Sequence, residues 1–110
     1  MLELAGELAD GVLFLPGVYG PCVEFALARI RAGATRAGRD AATLDLGCTL
    51  VGSLREDVKL ARQECVPLAP WFPQSAPVYA TLAGVPEPTI AAIRAAYAGG
   101  HFDGAREAFK

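Results

Sequence analysis

Leu2-Glu3-Leu4-Ala5-Gly6-Glu7-Leu8-Ala9-Asp10-Gly11-Val12-Leu13-Phe14-Leu15 is the stretch whose reading decides the fold. Leu4 and Leu8 stand four apart, which places them on one face of a helix; Gly6 weakens that helix and Asp10-Gly11 ends it. Val12 to Leu15 follow as an unbroken apolar run. The lack of alternation predicts a strand covered on both faces, as in a parallel sheet flanked by helices.

Outward from that strand, Pro16-Gly17-Val18-Tyr19-Gly20-Pro21 reads as a short loop. Gly20 suits the cap and Pro21 the first position of a helix running from about Cys22 to Ala37. Val23, Leu27, Ile30, Ala34 and Ala37 form its apolar stripe, and Gly38 its C-terminal cap. Leu44 to Val51 predict a second strand with Leu44, Leu46, Cys48 and Leu50 on one face. Strand, helix and strand make a βαβ unit, so the two strands should be parallel.

Ser53-Leu54-Arg55-Glu56 has the capping-box pattern, which makes Ser53 the cap of the next helix and Leu54, Val58, Ala61 and Cys65 its buried stripe. Residues 1–66 thus read as a βαβα core and residues 67–110 as a proline-rich connection with C-terminal helices. Pro67, Pro70, Pro73 and Pro77 exclude one long helix, while Trp71 and Phe72 argue for a folded-back connection over a solvated linker. Helices are predicted from Val78 to Ala83, from Glu87-Pro88-Thr89 to Gly99-Gly100 with Ile90, Ile93 and Tyr97 inward, and from Asp103 to Lys110 with Phe109 barely buried.

At 110 residues the chain is one domain by size and can bury roughly 65% of its unfolded surface. Hydrophobic residues at 53%, charged residues at 20% and a mean hydropathy of +0.31 exclude disorder. Ten basic and twelve acidic residues, scattered to a net charge of −2, offer no polycationic face for nucleic acid or anionic lipid. No apolar run approaches the ~18 residues of a membrane span, and no basic segment precedes an apolar one at the N-terminus, so a cytoplasmic location is expected.

Little in the chain suggests catalysis. Cys22, Cys48 and Cys65 are odd in number and widely spaced, which indicates small buried hydrophobes and neither a disulfide framework nor a metal site. His101 is the only histidine and follows Gly99-Gly100 in an expected surface turn. No nucleophile elbow surrounds Ser53, Asp10 suits a turn, and Glu56 and Asp57 suit the first turn of a helix. No catalytic residue and no metal ligand is assigned.

The opening stretch carries one further message. Leu4-Ala5-Gly6-Glu7-Leu8-Ala9-Asp10-Gly11-Val12-Leu13 closely resembles a segment of the luciferase-like flavin- and deazaflavin-dependent oxidoreductases, a family that includes methylenetetrahydromethanopterin reductase. The resemblance continues through Ala34-Thr35-Arg36-Ala37-Gly38-Arg39-Asp40 and, more loosely, through Ser53 to Arg62 and Leu82 to Val85. It implies an α/β fold in which this chain is a C-terminal fragment of a (β/α)₈ TIM-type barrel, two parallel strands with flanking helices. A closed barrel takes about 250 residues, so 110 would not complete one alone.

The activity implied by the resemblance is hydride transfer or monooxygenation with FMN or coenzyme F-420, the cofactors of the parent family, with the chain expected to be inactive alone and its own binding of either cofactor left open. The alternative is a non-enzymatic remnant or self-associating scaffold. If the two strands correspond to the seventh and eighth of the barrel, the loops Pro16 to Gly20 and Gly52-Ser53 face the cofactor. Gly17, Gly20 and Ser53 are then the cofactor-binding candidates. The partners expected are a small-molecule cofactor and substrate if the barrel is completed, and the missing barrel half or a second copy, with neither nucleic acid nor membrane.

Overall fold

The computed structural model describes residues 1–100 and resolves two compact units, Met1–Leu50 and a second beginning at Val51. His101, the helix expected from Asp103 and Phe109 lie outside the described residues.

The first unit runs α1 (Leu2–Leu8), β1 (Gly11–Phe14), α2 (Gly20–Arg36), a 3₁₀ turn (Ala41–Thr43) and β2 (Asp45–Cys48). The two strands pair in parallel, with Gly11 opposite Asp45, Leu13 opposite Gly47 and Phe14 opposite Cys48. Helix, turn, strand and βαβ crossover therefore follow the order expected from the opening stretch. Asp40 starts the 3₁₀ turn by accepting from the Ala42 amide at 2.9 Å.

α1 packs on α2 through glycine, not leucine. Leu4 and Leu8 are exposed, while Gly6 is the one buried residue of the helix. A Cβ at Gly6 would lie 2.0 Å from the Ile30 carbonyl oxygen, and one at Gly33 would lie 1.9 Å from the Glu3 carbonyl oxygen. Only hydrogen fits at these positions, so the two backbones meet directly. Gly6, read from sequence as a weak point of the helix, is its main contact.

Around that crossing Glu3 accepts from Arg29 at 2.8 Å and from Arg36 at 3.1 Å, while Glu7 pairs with Arg36. Arg39 donates to the Gly6 carbonyl at 3.1 Å. The buried face of α2 is Cys22, Ala26, Ile30, Gly33 and Ala34, one position off part of the expected stripe; Ala37 is exposed. Gly38, at φ +69°, ends the helix: its amide donates to Thr35 and that of Arg39 to Ala34, the two bonds of a Schellman turn.

β1 is covered on one side only. Phe14 is buried, but Leu13 is 76% exposed and lies over Gly47. The expectation of a strand buried on both faces is thus corrected: within the described residues no helix covers the Leu13 face. β2 is also shorter than expected, ending at Cys48, and Cys48 and Leu50 are exposed although Leu44 is buried.

The second unit is a set of short helices: α3 (Val58–Cys65), α4 (Trp71–Ser75), α5 (Pro77–Leu82) and α6 (Glu87–Ala98). Pro73 sits in the first turn of α4, where its missing N–H has no helical partner to lose. α5 closes on Gly84, at φ +82°, with the same pair of Schellman bonds as α2: Gly84 to Thr81 and Val85 to Ala80. Ile90 and Ile93 of α6 are fully buried as expected, each contributing about 2 kcal/mol of apolar burial, with Pro70, Pro73 and Ala80 also buried.

Trp71 and Phe72 form an edge-to-face pair with ring centroids 5.2 Å apart. The expected inward stripe of α3 is absent. None of its residues is fully buried, and Leu54, ahead of it, is 99% exposed.

Candidate functional site

The site expected from sequence is built on the loops that follow the two strands. Because Phe14 and Cys48 are opposite each other, both chains leave the sheet at the same end, where the Thr49 amide donates to the Phe14 carbonyl at 2.9 Å. The first loop turns at Gly17, whose φ of +79° a residue with a side chain adopts only at a cost. Pro16 anchors it by burial, leaving Val18 and Tyr19 exposed.

α2 begins at Gly20, with Tyr19 at the cap and Pro21 in the first turn. No side chain caps this end. The amides of Val18, Tyr19 and Gly20 donate to no backbone carbonyl among the described residues. A Cβ at Gly20 would meet nothing within 4 Å, so the backbone is open to approach. Of these amides only that of Gly20 stands at the positive end of the 17-residue helix, a position that favours an anion.

The second loop differs from its sequence reading. Ser53 does not cap a helix: α3 starts later, at Val58, and its cap is Asp57, whose carboxylate accepts from the Lys59 amide at 2.8 Å. Asp57 is as good a cap as serine and, unlike Ser53, directly precedes the first helical residue. Ser53 donates instead to the Glu64 carboxylate. Arg55 meets the same carboxylate through Nε at 3.0 Å and Nη2 at 2.7 Å. These contacts, Arg55 first and then Ser53, hold the Glu64 carboxyl below the usual carboxylate range.

Sequence reasoning selected Ser53 and passed over Arg55. The available signal was an arginine two residues beyond a serine in a loop opened by Gly52. A Cβ at Gly52, like one at Gly20, would meet nothing within 4 Å.

The remaining candidates are isolated. Asp10 is fully exposed and lies 3.7 Å from Arg39, in the turn role expected of it. Cys22 is buried, and burial raises its thiol pKa. Cys48 is exposed and Cys65 half-buried, which corrects the expectation that all three are core residues. Among the described residues no group of three His, Cys, Asp or Glu side chains is placed to hold a metal. No helix among them is long and apolar enough to cross a membrane.

A parallel strand pair opening into glycine-bearing loops that lead to helices makes this a mixed α/β protein of βα-unit construction. The chain belongs to the luciferase-like monooxygenase family, whose model matches residues 1–109. It is also similar to the 5,10-methylenetetrahydromethanopterin reductase of Methanolobus tindarius, with 40% identity over 62 residues. That match covers 56% of this chain and 19% of the relative, so the matched segment spans about a fifth of the reductase's length.

Proposed function

We propose that this chain contributes βα units of a (β/α)₈-type barrel to a flavin- or deazaflavin-dependent oxidoreductase, and that its strand-end loops, each by itself, offer a seat for a phosphate of FMN or coenzyme F-420. The observation that carries the reading is the run of Val18, Tyr19 and Gly20 amides left without a backbone acceptor among the described residues after β1, with open space at Gly20, in a chain of the luciferase-like family. A bound flavin or deazaflavin would supply hydride transfer. The residues of this chain would bind and orient it: Gly17 shapes the turn, Gly20 leaves room for the phosphate, and Ser53 stands in the loop after β2.

The chemistry itself would need groups from other strands, and none of the described side chains is assigned an acid, base or nucleophile. The rest of the barrel, or a second copy, is the partner this reading requires, and the cytoplasm is its natural location. A second reading rests on the exposed Leu13 face and the unpaired edges of a two-stranded sheet: a non-enzymatic scaffold that self-associates through them.

One titration separates the two. FMN and the deazaflavin coenzyme are each added to the purified chain, fluorescence is followed, and light scattering gives the mass. Saturable binding at micromolar ligand is expected, lost in Gly20→Asp. A chain that binds neither ligand yet forms dimers would refute the cofactor role and leave the scaffold.

A further inference from the structure

We propose that Glu64 acts as a resident stand-in for a phosphate group, occupying Ser53 and Arg55 until a phosphate-bearing ligand displaces it. This rests on the cofactor-facing reading of the second loop and adds a mechanism of entry to it.

Three observations converge. Ser53 and Arg55 both donate to one carboxylate, Arg55 through Nη2 to Oε1 at 2.7 Å and through Nε to Oε2 at 3.2 Å, the forked geometry that guanidinium gives to carboxylate and phosphate alike. The pair is exposed, with Arg55 at 58% and Glu64 at 44% of their side-chain surface, so the bond is weak and exchangeable. The loop also has open space at Gly52, one residue before Ser53, where a ligand oxygen can reach the backbone.

The neighbouring acids do not fill the same role. Asp57 is committed to the Lys59 amide as the cap of α3, and Glu56 makes no hydrogen bond or ion pair with Ser53 or Arg55. A phosphate carries more charge than the Glu64 carboxylate and at least one more terminal oxygen. It can take the Arg55 fork and the Ser53 hydroxyl together, releasing Glu64 to solvent.

The test is an NMR titration of the intact chain with inorganic phosphate, following the Arg55 Nε–H and the Ser53 amide, in wild type, Glu64→Gln and Arg55→Ala. Saturable shifts at both groups are expected. Removing the internal competitor in E64Q should tighten phosphate binding about fivefold, and R55A should abolish it. Unmoved Ser53 and Arg55 signals in both wild type and E64Q would overturn the proposal, as would equal affinity in the two.

FMN is run as a parallel arm. FMN binding that is indifferent to Arg55 would sink the stand-in role while sparing the cofactor reading. Phosphate displacing Glu64 without any FMN binding would do the reverse.

Discussion

The two units solve the same problem by opposite means. In Met1–Leu50 the principal helix contact is backbone on backbone: Gly6 and Gly33 bring α1 and α2 together so closely that no side chain intervenes. In the unit from Val51 onward, side chains fill the core, with Ile90 and Ile93 of α6 buried along with prolines of the α3–α4 segment. The first arrangement depends on what is absent from two positions, the second on what is present at two others. Apolar content therefore locates the core of the second unit and misses the tightest contact of the first.

The largest expected effect tests that contrast directly. Gly33→Val should cost about 4 kcal/mol, because its Cβ meets the Glu3 carbonyl, which cannot rotate away, and α1 must leave α2. Ile93→Ala should cost about 3 kcal/mol by opening a cavity under α6. Residue-resolved amide hydrogen exchange is the measurement. Protection should fall in α1 and α2 for the first variant and in α6 for the second; the reverse pattern would break the comparison.

A smaller effect should be equal in the two units. Gly38 and Gly84 end α2 and α5 with the same pair of bonds at φ +69° and +82°, and neither has an atom within reach of an added Cβ. Gly38→Ala and Gly84→Ala should each cost about 1 kcal/mol, a purely conformational penalty. Denaturant unfolding of the two variants checks this. A difference of more than ~1 kcal/mol between them would show that one cap also carries packing.

The smallest effect concerns charge. Glu3, held below the usual carboxylate range by Arg29 and then Arg36, is the counterpart of Glu64, held there by Arg55 and then Ser53. Both carboxyls bind protons less readily folded than unfolded. Their contribution is therefore complete above the unfolded-chain value of about 4.3 and disappears as pH falls through the lower folded value. Stability measured from pH 6 down to pH 2 should decline in that window. E3Q and E64Q should each flatten part of the decline, and 1 M salt should shrink it.

Much of the first unit was legible because its signals are local. Asp10-Gly11, Pro21 and Gly38 mark their boundaries by backbone geometry alone, and the structure places α1, β1 and α2 within a residue or two of them. Ile90 and Ile93 were legible for the same reason, as a helical spacing in a single segment. What could not be read depends on groups far apart in sequence. Nothing within α1 says that Gly6 faces Ile30, and an apolar run such as Val12 to Leu15 reports suitability for burial, not whether a covering layer is supplied; Leu13 has none among the described residues.

The candidate site divides along the same line. The Gly17 turn and the start of α2 followed from glycine and proline, whereas Ser53 sits between two competing readings, cap and side-chain partner. Asp57, nearer the helix, takes the first role and Glu64, eleven residues on, imposes the second.

The reciprocal glycines of α1 and α2 also constrain how this sequence can change over generations. A tight side-chain contact can drift, since enlarging one partner is offset by trimming the other. Here each glycine faces the other helix's main chain, which has nothing to trim, and the two contacts lie at separate points, so neither substitution compensates for the other. The crossing has no intermediate forms: descendants of this chain either inherit both glycines or rebuild the seat of α1 in a single step.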